Sequence, residues 1–178
     1  AEASAQEWLP FDSRTMHWYG PDGHYWFRVL FTVPQEWDGK PLWMHVRTQI
    51  EEWDDGKNPQ FLLFVNGAAT QGLDMNHRDV FLCEKAREGE QLCLELQAYT
   101  GTLHSEFNLI VEMQEIDAEI EALYYDLSVP LEAFSRMKQD DRNRMLIEHA
   151  LNEAVNRLDL RRAYSVEFYA SLRKASDY

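Results

Sequence analysis

Gln60-Phe61-Leu62-Leu63-Phe64-Val65-Asn66-Gly67-Ala68-Ala69-Thr70-Gln71 is the stretch on which the fold turns. Asn66-Gly67 stands between the runs Leu62–Val65 and Ala68–Gln71, and both residues tolerate the positive φ of a two-residue hairpin turn. Tyr25–Val33, Pro41–Thr48, Gln60–Val65, Asp79–Cys83, Gln91–Ala98 and Glu106–Glu112 read as strands, rich in Val, Phe, Leu and Trp. Leu42, Met44 and Val46 alternate with polar or larger neighbours, as do Leu92, Leu94 and Leu96, so each strand turns one face inward. Short strands separated by Gly, Pro, Asn and Asp, with no helices between them, argue for an antiparallel sandwich rather than a parallel sheet.

The period changes near Gln114. Asp117 can cap a helix whose stripe is Ile120, Leu123, Tyr124 and Leu127. Pro130 either kinks that helix or starts a new one, with Ser128 available as its cap. Asp140 precedes a second helix carrying Ile147, Leu151, Ala154, Val155 and Leu158. A third begins near Ser165 and carries Phe168, Tyr169 and Leu172. The expected architecture is therefore mainly β with an α appendage: a sandwich domain over 1–115 and about three short helices over 116–178. Each helix must bury its stripe, among its fellows, against a sheet edge, or on a partner outside this sequence.

The chain has 178 residues, and 17 Lys+Arg against 31 Asp+Glu leave a formal charge of −14. That length suits one domain, or one with an appendage. Hydrophobic residues at 45% and aromatics at 13% are too many for a disordered chain. Residues 1–115 hold 8 basic and 19 acidic residues, net −11; residues 116–178 hold 9 and 12, net −3. Such acidity repels phosphate backbones and anionic lipid, so neither nucleic acid nor membrane is an expected partner. No apolar run approaches the roughly 20 residues of a membrane span. A first residue of Ala1 and a helix-like ending at Tyr178 raise the expectation of a processed or excised piece. Cys83 and Cys93 flank the turn-like stretch Glu84–Gln91; a hairpin there would bring them close, and the expectation is two reduced, half-buried thiols.

Few residues assemble into chemistry. His77-Arg78-Asp79 matches a kinase catalytic-loop tripeptide, but the Gly-rich loop, paired Lys and Asp-Phe-Gly are absent. Its His-x-Asp spacing would put two metal ligands on one strand face, yet His17, His24, His45, His104 and His149 add no paired ligand spacing. The expected role is structural, at a strand entrance. The acid pairs Glu51-Glu52, Asp54-Asp55 and Asp140-Asp141 could serve glycoside hydrolysis if they faced each other across a pocket. They are expected on a solvated surface instead, and Glu51–Asn58 as a solvated connection without a calcium-loop pattern. No catalytic or metal residue is assigned. The densest aromatic stretch, Trp18-Tyr19-Gly20-Pro21-Asp22-Gly23-His24-Tyr25-Trp26, could present ring faces to sugars, or fill the core or a domain interface. Trp18, Tyr19, His24, Trp26, Asn76 and His77 are the candidate carbohydrate or domain-interface contacts.

Several stretches, in order, resemble the N-terminal β-domain of α-mannosidases of glycoside hydrolase family 38. They are Trp18 to Arg28, Phe31-Thr32-Val33-Pro34-Gln35-Glu36-Trp37-Asp38-Gly39-Lys40-Pro41, Phe64-Val65-Asn66-Gly67, Gln71 to Asp79, and Ala98-Tyr99-Thr100-Gly101. Glu121-Ala122-Leu123-Tyr124-Tyr125-Asp126-Leu127 is similar to the segment linking that domain to the catalytic barrel. The resemblance implies a jelly-roll or galactose-binding-like sandwich in a cytoplasmic, retaining α-mannosidase that uses zinc and an aspartate nucleophile. Those groups sit in the family's following domain, where the catalytic His-x-Asp precedes tryptophan and leucine. Here His77-Arg78-Asp79 precedes Val80-Phe81-Leu82, so no zinc or catalytic position is carried over. The implied partners are the catalytic domain of the same polypeptide, a mannose-containing oligosaccharide and a homo-oligomer of the parent. A stand-alone carbohydrate-binding module is the alternative. A small independent hydrolase using an acid pair has less support.

Overall fold

The computed structural model describes residues 7–48 and 58–177. The acid pairs Glu51-Glu52 and Asp54-Asp55 lie outside the described residues. The chain divides into two compact units, Ala1–Glu115 and Ile116–Tyr178.

Among the described residues the first unit holds nine strands: β1 Trp18–Tyr19, β2 His24–Thr32, β3 Leu42–Arg47, β4 Gln60–Val65, β5 Ala68–Leu73, β6 Asp79–Cys83, β7 Gln91–Tyr99, β8 Glu106–Phe107 and β9 Ile110–Gln114. They form a four-stranded sheet in the order β2-β7-β4-β5, a three-stranded sheet β6-β3-β9 and the short pair β1-β8. All pairings are antiparallel. Successive strands from β2 to β7 change sheet at every step except β4 to β5, the crossing habit of a jelly roll. Leu42, Met44 and Val46 of β3 and Leu63, Leu94 and Leu96 of the larger sheet belong to one buried cluster. The two sheets therefore face each other across a shared core: a β-sandwich with a helical appendage.

The hairpin forms where the Asn-Gly pair requires it. Asn66 has φ of 50° and Gly67 of 82°. The Asn66 carboxamide also accepts the Cys93 N–H at 2.9 Å, which ties the turn to β7. Two expectations need correction. Glu84–Gln91 is not a hairpin turn: it carries the chain from the three-stranded sheet to the four-stranded one, where Cys83 faces Leu42 and Cys93 faces Leu30. Both thiols are free. The run Glu106–Glu112 is not one strand either. It breaks at Asn108, whose carbonyl accepts the Trp18 indole N–H at 3.2 Å, and Leu109 turns into the core. Asn58, the described residue of the stretch expected to be solvated, is 6% exposed.

The second unit holds α1 Ala118–Arg136, α2 Arg144–Asn156 and α3 Val166–Ser176. None is long and apolar enough to cross a membrane. Asp117 caps α1 by accepting the Glu119 and Ile120 N–H groups, and Ser165 caps α3 at Phe168. Helix α1 runs through Pro130 without a new start, so Ser128 caps nothing. Asn143, not Asp140, precedes α2, and its side chain makes no cap bond. The small core is Leu123, Ala154, Phe168, Leu172 and Ala175, flanked by Ile120, Leu127, Leu158 and Tyr169. Tyr124 and Val155, expected on buried stripes, are exposed at 62% and 53%.

Candidate functional site

Strand β2 decides where the aromatic residues go. With period two, Tyr25, Phe27, Val29 and Phe31 lean to the core side, and His24, Trp26, Arg28 and Leu30 to the outer face. On that outer face His24 lies against Tyr99 at 5.1 Å and Trp26 against Phe64 at 5.5 Å, ring centre to ring centre. The Arg28 guanidinium donates to Glu95 Oε1 from Nε at 2.9 Å and from Nη2 at 2.6 Å. The Trp8 indole covers the same guanidinium at 4.0 Å, so the cation is paired on one side and stacked on the other. Tyr99 donates its hydroxyl to Asp22 at 3.1 Å, and that bond raises the phenol's pKa.

Beside this face a cleft of about 520 Å³ runs along the outer edge of β2. Trp8–Phe11 form one wall, Trp26–Leu30 the floor, and Leu109 and Val111 the far side. Phe11 meets Phe27 at 5.3 Å, which fixes that wall to the core. Size and mostly apolar lining suit a small-ligand or side-chain site.

The six sequence candidates do not converge. Trp18 is corrected from a surface contact to a core residue. It is 3% exposed and wedged among Tyr25, Phe27, Phe61 and Phe107 at 4.7–5.8 Å. Tyr19 is exposed beside His104, with its carbonyl taken by the Tyr25 hydroxyl at 2.7 Å. His24 and Trp26 share the outer face, two residues apart on β2. Asn76 and His77 lie in the turn before β6, where both N–H groups donate to Asp74 Oδ1 at 2.8 Å. Burial works against the Asp74 charge, but those donors and the His77 ring outweigh it and lower its pKa.

The His77-x-Asp79 spacing brings no ligands together. His77 Nδ1 turns to Asp74 at 3.0 Å, while Asp79 pairs with His45 Nδ1 at 2.7 Å on β3. Among the described residues no group of three or more His, Cys, Asp or Glu could hold a metal ion. Asp141, the described acid pair's second member, accepts the Asn143 N–H at 2.8 Å, a local turn contact.

Trp8, Arg28, Leu30, Phe64, Glu95 and Tyr99 were missed by the sequence reading. Applying period two to His24–Leu30 would have put Arg28 and Leu30 beside Trp26. Trp8 lies outside any regular element and sends no periodic signal.

No family model and no curated protein matches the chain. Among solved structures it is similar to an acetyl xylan esterase, Est2A, from the rumen bacterium Butyrivibrio proteoclasticus, with 16% identity, a TM-score of 0.24, and coverage of 51% of this chain and 24% of that one. It is also similar to the CBM51-2 and INT domains of ZmpB from Clostridium perfringens, with 12% identity, a TM-score of 0.25, and coverage of 84% of this chain and 32% of that one. The chain spans about a third or less of the length of these structures.

Proposed function

We propose that this chain is the non-catalytic N-terminal β-sandwich and helical linker of a cytoplasmic, zinc-dependent, retaining α-mannosidase, where it braces the catalytic domain or the parent's oligomer contacts. The observation that carries this reading is the outward apolar surface of the helical unit. Tyr124, Tyr125, Val129 and Leu131 on α1 are 56–62% exposed, and Met145 and Leu146 on α2 are 77% and 65% exposed. Large apolar side chains this exposed on so small a unit, with the Tyr124 and Tyr125 rings in contact at 5.2 Å, favour a protein cover. The catalytic domain implied by the family resemblance would supply it.

The residues of the resemblance also have framework roles that a brace requires. Gly39, Asn66 and Gly67 sit at positive φ in turns, Gly101 takes positive φ shortly after β7, and Trp18 fills the core. Zinc and the nucleophile belong to the domain this reading places elsewhere, so no step of the reaction is assigned to these residues.

Two measurements test it. An aryl α-mannoside assay on the chain alone is expected to show no turnover; turnover abolished by chelation would overturn the reading. A dye that reports exposed apolar surface is expected to light up on the isolated chain. Substituting Tyr124, Tyr125 and Leu131 by Ser should dim it without loss of helix, and unchanged dye binding would remove the argument.

A second reading, a carbohydrate-binding module, is favoured by the outer-face rings His24, Tyr99, Trp26 and Phe64. Titrating mannose oligosaccharides while following Trp fluorescence decides it: no response at millimolar sugar removes that reading.

A further inference from the structure

Among the described residues the backbone of β2 is bonded on one side only. Val33 N–H donates to Glu90 O at 2.9 Å and Thr100 N–H to Gly23 O at 3.0 Å. In an antiparallel ladder such exchange recurs at every second residue, so Tyr25, Phe27, Val29 and Phe31 direct their N–H and C=O groups to β7. Trp26, Arg28, Leu30 and Thr32 then direct theirs to the free edge. Strand β2 ends its sheet, and no described strand pairs with that side.

Proteins usually protect such an edge with lysine, proline, a bulge or brevity. Tyr25-Trp26-Phe27-Arg28-Val29-Leu30-Phe31 has none of these: it is long, regular against β7, and its one charge is already neutralised by Glu95. The cleft lies along this same edge. Trp8 closes over Arg28, whereas Leu30 is 77% exposed, so the open part of the ladder is Leu30–Thr32.

We propose that this edge takes a short extended peptide segment of another protein, which adds as a strand beside Leu30 and Thr32 and seats an apolar side chain in the cleft between Phe11 and Val111. This inference stands apart from the mannosidase reading. A peptide backbone is the chemistry that answers alternate free donors and acceptors, and alternation sends every second side chain toward Leu109 and Val111. The remaining side chains point outward over a unit of net charge −11, which selects basic residues. The same charge opposes a second copy of this chain at the edge.

The test uses the full chain and the acetylated, amidated hexapeptide Lys-Val-Lys-Val-Lys-Val, with Trp fluorescence as readout. The expected result is saturable submillimolar binding, weakened about tenfold or more by Leu30→Pro and little changed by Leu30→Ala. Leu30→Pro deletes a donor that faces outward, and an edge position admits proline, so the fold is expected to survive. If Leu30→Pro unfolds the chain, Thr32→Pro gives the same reading one pair along. Binding that is equal for wild type and the proline variant overturns the proposal, because backbone pairing is then not used. So does equal binding of Lys-Lys-Lys-Val-Val-Val, which leaves only charge attraction, and so does the absence of saturation. Concentration-dependent dimers that vanish in Leu30→Pro would assign the edge to a second copy and also overturn it.

Discussion

Replacing Trp18 by alanine separates a framework tryptophan from a ligand platform. The indole is 3% exposed, with four aromatic neighbours and one hydrogen bond to the Asn108 carbonyl. A buried aromatic removes roughly 150–250 Å² from water, which at about 25 cal/mol per Å² is roughly 4–6 kcal/mol as an upper figure. Aromatic-to-alanine changes in cores cost about 3–5 kcal/mol, so about 4 kcal/mol is expected here. Trp18→Phe keeps a ring in contact with Phe27 and Phe107 but loses the N–H donor and some volume, about 1–2 kcal/mol. Urea denaturation gives the totals, and hydrogen exchange in β3 and β7 reports the sandwich directly. A loss below about 0.5 kcal/mol for Trp18→Ala, the size of an ordinary surface change, would refute the assignment to the core. So would a variant of undiminished stability that loses a sugar response.

The helical unit is expected to weaken at both ends of the pH scale through Asp117 and Tyr169. Tyr169 donates its hydroxyl to Asp117, which pushes its pKa to about 12, so the stability it lends is complete below its ordinary value of 10.0 and is lost as pH rises from there. Burial opposes the Asp117 charge, but the Tyr169 hydroxyl and the capped N–H groups lower its pKa below 3.8, so its contribution is complete above that value and is lost as pH falls through the depressed one. Far-ultraviolet dichroism against pH checks this, and Tyr169→Phe should remove the alkaline limb and shrink the acid one, because the capping N–H groups still hold the Asp117 carboxylate. Asp117→Ala also loses the α1 cap and should cost about 1 kcal/mol at neutral pH, read by thermal melting. Two thiols should titrate without reductant, because Cys83 and Cys93 are free. Cys83 should react slowly near neutrality, since burial and then the Glu90 charge raise its pKa.

Much of the framework was legible because its signals are local. Gln60–Val65 and Asp79–Cys83 are strands with the bounds that their apolar runs indicate, and the Asn66-Gly67 turn follows from its dipeptide alone. What escaped depends on neighbours far along the chain. The break at Asn108 is set by an indole 90 residues away, and alternation cannot show it. The passage from Cys83 to Cys93 resembles a hairpin locally, yet which sheet receives a strand is decided by the whole sandwich. The local sequence left Pro130 either inside a helix or at a new start, and α1 runs through it. The candidate site was the least legible part. Trp26 was named for its ring, but its companions Arg28 and Glu95 meet only through the β2–β7 register, and Trp8 arrives from a segment with no periodicity.

The pairing of β2 with β7 sets an order for folding during synthesis. Arg28 meets Glu95 and Trp26 meets Gln97 only after some 70 intervening residues have been made. Until then the aromatic run of β2 must wait unpaired beside the ribosome, and β3 waits about as long for β9 at Ile110–Gln114. A nascent chain stalled before β7 should be sticky and dependent on chaperones, and one stalled just beyond Glu115 should close the sandwich slowly, as non-local pairings do.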